Sequence, residues 1–427
     1  METDWLRIVR DALLGILFQP FYYIAILLIV MQYLRQIRQE RQLFGVKLLH
    51  WQGQLVCAVA AGWIVGLVLS VVGIFVGFRL TPDAVLWLWG ISVLLALLRV
   101  RFLCFAYAAG ALGLLQPAVV ALGLPDSGGW IGRMADSLAQ LDIAGLLLLV
   151  ALLHLAEALL VRVQGDRLST PLFLLGKRGK LVGAYALQGY WPVPLFLLVP
   201  AASGIPGAEL PWMPLAGDGG GYGWTLLALP TLVGFSELTR TMLPERKAGR
   251  IYRGLLLYSI GLGAVAAAAI AWAPLVPIAA LFALLLHEAL IWAGRLQEST
   301  AAPLYVHPPE GLRILGVVPG TPAEAMGLMS GEVLLKVNGM SVRTRDDLYR
   351  ALHLQSAYAK LEVLNRDGQQ KFVQRARYAG DHHQLGVILA PDDQAGYYVE
   401  PGAVSALGLL RRRRDAKRRE TAAPPLP

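Results

Sequence analysis

The sequence predicts an α-helical polytopic membrane bundle followed by a small α/β domain. The chain has 427 residues, of which 56% are hydrophobic and 16% charged, whereas a soluble domain carries about 25% charged residues. Long apolar runs fill the chain up to residue 300 and then stop, and basic residues gather in alternate loops between them. The composition excludes a wholly soluble protein, a disordered chain and, with two cysteines, a disulfide scaffold.

The apolar runs predict eight or nine spans in a transmembrane domain at residues 1–298. A helix needs about 20 apolar residues to cross the hydrocarbon core of a bilayer. The first run is too long for a signal peptide and no A-x-A cleavage site follows it, so we interpret it as a retained anchor. The nine runs lie at residues 13–34, 55–78, 83–98, 102–122, 141–161, 181–200, 223–239, 254–272 and 275–294.

The charges of the loops predict how the chain is oriented in the membrane. The loops at 35–50, 162–180 and 240–253 each carry several Lys or Arg residues, and the turn at 99–101 carries two arginines. The alternate loops are almost bare of them. Because basic residues accumulate on the cytoplasmic side, we expect the N-terminus outside and everything after Arg295 in the cytoplasm.

Three acids, Glu157, Glu237 and Glu288, are expected near the cytoplasmic ends of spans, two of them beside His154 and His287. Ionisable groups in a membrane are costly and are therefore candidates for function. Two interpretations stay open. The acids pair with nearby arginines and hold helices together, which we favour, or they serve transport.

The pair His287-Glu288 invites comparison with the H-E-x-x-H zinc motif of metalloproteases, whose histidines share one helix face. The fifth position here is Ile291, so one ligand of that motif is absent. No Ser/His/Asp set or phosphate-binding glycine loop stands out. The sequence therefore predicts no catalytic residue, no enzyme activity, no metal and no cofactor, and Cys57 and Cys104 are interpreted as plain buried thiols.

Residues 303–390 have the polarity of a small soluble domain. A strand at 312–318, a P-G-T-P-A turn, a strand ending in an Asn-Gly turn, a helix at 346–354 and a strand pair joined by an Asp-Gly turn follow in order. This order, with its S-G-E-V-L-L-K-V-N-G segment, resembles a bacterial PDZ domain. The resemblance implies that an extended peptide binds by strand addition.

In a PDZ domain a hydrophobic-Gly-hydrophobic loop holds the carboxylate of the peptide. The resemblance places this loop late in the chain, where Gly386 permits a tight turn, and opposite the helix at 346–354. The preceding His382 and His383 are interpreted as solvent-exposed. The alternative, that 385–389 is only a closing core strand, stays open. The candidate peptide-binding residues are Leu385, Gly386, Val387, Ile388, Leu389, Leu348 and Leu352.

Residues 391–427 are expected to form a basic, disordered tail. A basic cluster beside a membrane attracts anionic lipid, at about 1 kcal/mol per basic residue near the surface. A solvated tail is the alternative, and no nucleic acid is expected, because aromatic residues are not interleaved with the charges. The cluster comprises Arg411, Arg412, Arg413, Arg414, Lys417, Arg418 and Arg419.

The chain as a whole resembles the MinJ family of division-site topology proteins. The matching segments are F-Q-P-F-Y-Y at 18–23, K-R-G at 177–179, Y-W-P-V-P at 190–194 and D-H-H-Q-L-G at 381–386. The resemblance implies a non-enzymatic adaptor of the cytoplasmic membrane that links DivIVA-like and MinD-like proteins at septa and poles. The rival classes are a PDZ-containing transporter or sensor and an intramembrane protease relative that lacks its zinc motif.

Overall fold

The computed structural model describes residues 2–177, 179–202, 205, 207–215, 222–355, 357–378, 380–381, 385–392 and 395–399. Within these residues, helices and one three-stranded sheet form the first part of the chain, and a second sheet with two short helices forms the rest. The first part contains α1 (Glu2–Leu17), α2 (Pro20–Phe44), α3 (Trp51–Val76), α4 (Pro82–Leu98), α5 (Phe105–Ala121), α6 (Gly129–Ala139), α7 (Ile143–Gln164), β1 (Ser169–Leu175), β2 (Leu181–Pro200), β3 (Trp224–Thr239), α8 (Pro244–Ala271) and α9 (Val276–Thr300). The second part contains β4 (Leu312–Val317), α10 (Pro322–Ala325), β5 (Val333–Val337), β6 (Met340–Ser341), α11 (Arg345–Leu354), β7 (Tyr358–Leu364), β8 (Gln370–Ala376) and β9 (Val387–Leu389).

Several long apolar helices precede the second part, as the sequence predicted, but the predicted span count is not confirmed. Among the described residues, five helices are long and apolar enough to cross a membrane, namely α2, α3, α7, α8 and the stretch Ala273–Thr300 that contains α9. α4 and α5 are apolar but have 17 residues each. The expected span at 13–34 is divided between α1 and α2, because Pro20 suits a first helical turn and begins a new helix.

The helices predicted at 181–200 and 223–239 are wrong, because both segments are β-strands. β2 and β3 pair in antiparallel register from Tyr185 opposite Thr239 to Pro200 opposite Trp224, and β1 covers only the first residues of β2. Prolines at 192, 194 and 200 would break a helix interior. They lie on the part of β2 beyond β1, where one edge carries no ladder and proline is tolerated.

The far half of β2 runs through the largest core of the first part. Trp191, Val193 and Leu195 are completely buried. They belong to the same apolar cluster as the inner faces of α3, α5, α7, α8 and α9. A strand therefore occupies the centre of a domain that the sequence predicted to be a helical bundle.

The second part has the PDZ elements in the predicted order. Its strands are arranged β8-β7-β5-β4-β9, with β6 paired to β5. The strand expected at 312–318 is β4, and the helix expected at 346–354 is α11. This helix begins after Thr344, which forms a capping box with Asp347. The division into 1–298, 303–390 and 391–427 stays a prediction.

The PDZ region packs against the sheet of the first part. The N–H of Gly183 donates to the carbonyl of Tyr305 at 2.9 Å, and the Tyr185 hydroxyl donates to the carbonyl of Leu315. Arg366 and Glu245 form an ion pair of 3.5 Å between the two parts. These contacts hold β4 and β9 close to the apolar domain.

Candidate functional site

A left-handed turn leads into β9. Leu385 has φ of +59° and Gly386 of +84°. The carbonyls of these two residues accept hydrogen bonds of 2.8 Å from the N–H groups of Ala323 and Val318. A Cβ atom at Gly386 would overlap the side chain of Thr321. The turn therefore requires glycine both for its φ and for the space beside it.

β9 is the edge strand of the PDZ sheet, and its outer main-chain groups face away from β4. Val387 lies opposite Val317, and the Val318 N–H bonds to the carbonyl of Gly386. Val387 is thus in a non-hydrogen-bonded pair, and its own N–H and C=O point to the free edge. Leu389 repeats this arrangement. No other described strand pairs with this edge, which is the kind of template on which a PDZ domain adds a peptide strand.

The side chains of the predicted peptide site are buried. Val387 and Leu389 share the core of the PDZ region with Leu385 and with the α11 residues Leu348 and Leu352. The intervening residue of β9, at position 388, points the opposite way and joins the core of the first part. Each of these six side chains is exposed by 8% or less. The outer edge of β9 thus has no strand partner among the described residues, while the side chains of β9 and α11 are packed together in the core.

Remaining predicted site residues lie outside the described part of the chain. They are His382, His383 and the basic cluster at Arg411, Arg412, Arg413, Arg414, Lys417, Arg418 and Arg419.

Two of the three membrane acids have cationic partners, although not the arginines that follow them in sequence. Glu237 lies on β3 rather than on a helix, and its carboxylate is 3.2 Å from the buried Nζ of Lys247. Glu288 accepts from the Tyr107 hydroxyl at 2.7 Å and pairs with Arg101 at 2.9 Å. Glu157 is buried in α7 and has no ion-pair partner among the described residues.

Sequence reasoning missed one group of side chains that the structure assembles. Cys104 precedes α5, His154 lies in α7 and His287 in α9, and one potential ligand atom from each lies within 4.8 Å of the others. The histidines are 50 and 183 positions from the cysteine. No local motif with metal-ligand spacing therefore marks the group.

Comparisons with known proteins agree with this architecture. The family model of the PDZ domain matches residues 313–365. Together with the long apolar helices before it, this match defines a class of membrane-associated proteins that carry a C-terminal PDZ domain.

Two relatives show to which family within this class the chain belongs. The cell division topological determinant MinJ of Bacillus subtilis (strain 168) is 28% identical over 405 residues, which are 94% of this chain and the whole of that protein. The probable cell division topological determinant MinJ of Lacticaseibacillus paracasei is 30% identical over 344 residues, which are 78% of this chain and 85% of the relative. The chain belongs to the MinJ family, and the resemblance found in its sequence is confirmed.

Proposed function

We propose that this protein is a membrane-anchored PDZ adaptor that recruits cell-division proteins to septa and cell poles. The observation that carries the proposal is the edge of β9, which pairs with no other described strand, behind the left-handed turn at Leu385 and Gly386. A peptide strand added there would bond to the outward N–H and C=O groups of Val387 and Leu389. The relatives support a role in cell division, because they are named cell division topological determinants.

Anchoring explains why helices and a PDZ domain share one chain. Helices in the bilayer confine the β9 edge to the membrane surface, which raises its effective concentration for membrane-bound partners. The distribution of basic loops supports a multi-pass protein with a cytoplasmic C-terminus. DivIVA-like and MinD-like proteins are the proposed partners, and anionic lipid is the proposed partner of the basic tail.

This role requires no catalytic group. The pairing of Glu237 with Lys247 and of Glu288 with Arg101 supports a structural role for two of the acids.

Live imaging tests the proposal with a green fluorescent protein fused to the C-terminus in dividing cells of the native host. We expect bright bands at septa and poles. This fluorophore matures poorly when it is exported unfolded, so brightness also tests the cytoplasmic side. An even membrane ring would overturn the division-site role, and a dark but intact fusion would overturn the orientation.

A proline variant tests whether recruitment uses the edge of β9. Val387→Pro removes one outward N–H, and proline is tolerated where that group faces away from the ladder. Val387→Ala is the matched control, because it trims the same side chain and keeps the N–H. We expect the proline variant to lose its septal signal at an unchanged membrane level and the alanine variant to keep it. Equal localisation of both would exclude the edge as the binding surface.

A further inference from the structure

Cys104, His154 and His287 bring three potential ligand atoms to one point between three helices. Cys104 Sγ lies 3.3 Å from Nε2 of His154 and 3.9 Å from Nε2 of His287. The centroids of the imidazole rings are 5.3 Å apart, and Tyr258 packs edge-on against both rings. His154 is 3% exposed. Cys104 and His287 are partly buried.

The outer nitrogens of both rings are already engaged, which fixes the tautomers. Nδ1 of His154 is 2.8 Å from the carbonyl of Val150, which can only accept, so this nitrogen carries a proton. Nδ1 of His287 is 3.1 Å from the Tyr107 hydroxyl. That hydroxyl donates to Glu288, so it accepts from the imidazole. Both Nε2 atoms therefore present lone pairs toward Cys104.

One thiol proton cannot satisfy this arrangement. The S–H group of Cys104 can donate to one Nε2 atom, and the other lone pair then faces sulfur without a proton between them. A metal ion at the centre would satisfy both nitrogens and the thiolate together. Ligating histidines usually donate their second N–H to a carbonyl or a hydrogen-bonded network, which is the pattern around both rings here.

The distances and the ligand types suit zinc. Zinc binds thiolate at about 2.3 Å and imidazole at about 2.1 Å, so tetrahedral ligand atoms lie about 3.4–3.6 Å apart. The separations of 3.3 and 3.9 Å from sulfur bracket this range. Sulfur and imidazole ligands favour zinc and similar ions over magnesium or calcium.

The local charge also suits a cation. A divalent ion with one thiolate keeps a charge of +1, which is costly inside an apolar domain. Glu157 follows His154 by one helical turn on the same side of α7, is buried, and has no ion-pair partner within the described chain. Its carboxylate would balance the remaining charge.

We propose that Cys104, His154 and His287 form a zinc site that ties the start of α5 to α7 and α9. The thiol proton passes to solvent when the metal binds. Bound metal stabilises the folded protein, because the unfolded chain does not hold the three ligands together. The proposal is independent of peptide binding at β9.

Metal analysis of the full chain tests the proposal. The protein is purified in detergent through a tag without histidines, exposed to Zn²⁺, freed of excess metal and analysed by plasma mass spectrometry. We expect one zinc per chain in the wild type and in Cys57→Ser, the variant of the other cysteine, which lies in α3 and is exposed. Cys104→Ser and His287→Gln are expected to weaken zinc binding by at least about tenfold. A wild type without zinc would overturn the proposal.

Cobalt provides a second readout, which begins with the wild type and therefore does not rest on variants alone. Co²⁺ added to the metal-free wild type is expected to give the thiolate charge-transfer absorption and the strong visible bands of a tetrahedral site. Cys104→Ser is expected to lose the charge-transfer band, and Cys57→Ser to keep it. Absence of this band in the wild type, or its persistence in Cys104→Ser, would exclude Cys104 as a ligand.

Discussion

The main-chain carbonyl of Pro192 in β2 lies directly against Gly62 in α3, in the space that a Cβ atom would fill. Gly66, one turn further, meets the next proline carbonyl of the strand in the same way. After another turn, the Ser70 hydroxyl accepts from the N–H of Phe196 at 2.8 Å. Four helical residues advance about 6.0 Å and two strand residues about 6.6 Å. The spacing of every fourth residue in α3 therefore matches the spacing of every second residue in β2, and the small residues of α3 pack against this strand.

Gly62→Ala is expected to destabilise the apolar domain. The added methyl group would overlap the Pro192 carbonyl, and the strand would have to move, at a cost of about 1–3 kcal/mol. The midpoint of thermal unfolding in detergent measures the effect. Gly53→Ala in the same helix is the control, since no atom lies within 4 Å of a Cβ there. Helix propensity favours that change, so equal losses in both variants would contradict the packing argument.

Gly386→Ala is expected to destabilise the turn before β9 by more than the unfavourable backbone φ of alanine would by itself. A Cβ at this position meets Thr321, and the φ of +84° is also unfavourable for alanine. Gly320→Ala separates the two causes, because its φ is +73° but nothing lies near its Cβ. The control should lose only about 1–2 kcal/mol. Amide hydrogen exchange of β4 and β9 in the full chain is the measurement, and similar protection in both variants would argue against the clash.

Lys247→Met is expected to destabilise the fold strongly. The lysine side chain is 2% exposed, and its Nζ lies 3.2 Å from the carboxylate of Glu237 and 3.6 Å from that of Glu298. Its loss leaves two acids without their cation, and breaking a buried pair costs about 3–5 kcal/mol. Chemical denaturation of the full chain measures the loss.

Lys336→Met is the matched control for the buried lysine. Its pair with Glu362 at 2.9 Å is on the surface, and the lysine side chain is 43% exposed. A surface pair contributes at most about 1 kcal/mol. Equal destabilisation by the two lysine variants would show that the buried ion pair adds nothing beyond a surface one.

The PDZ region could be predicted from sequence because its signals are local. The turn that ends β5 and the helix at 346–354 each depend on neighbouring residues, and both lie where the sequence placed them. The edge position of β9 is different, since it depends on which strand pairs with β4. Only the three-dimensional pairing shows that the outer main-chain groups of Val387 and Leu389 face an edge with no partner among the described strands.

The strands of the first part were missed because hydropathy alone does not separate a buried strand from a buried helix. One signal was present: Pro192, Pro194 and Pro200 fall within a single apolar run, and a helix interior accepts such a series poorly. The group of Cys104, His154 and His287 had no comparable signal. Its members come from the start of α5 and from α7 and α9, and only packing brings them together.

His307 connects the stability of the PDZ region to pH. Its Nδ1 accepts the N–H of Arg313 at 3.1 Å, which requires an unprotonated nitrogen. Burial lowers the pKa of His307 below its ordinary value, and the charge of Arg313 acts in the same direction. The carbonyl of Ala390 and the carboxylate of Asp392 oppose the shift without reversing it. The folded state therefore favours the neutral ring.

Because the pKa of His307 is lower in the folded state than in the unfolded chain, the stability of the PDZ region decreases as the pH falls. The contribution of neutral His307 is fully present above the unfolded pKa of about 6.5, and it is lost as the pH falls toward the folded pKa. His307→Asn keeps an oxygen that can accept the Arg313 N–H but cannot titrate. We expect the thermal midpoint of the wild type to fall more than that of the variant between about pH 7 and pH 5. Parallel profiles would show that protonation of His307 does not control the stability of the domain, because every other titrating group is common to both proteins.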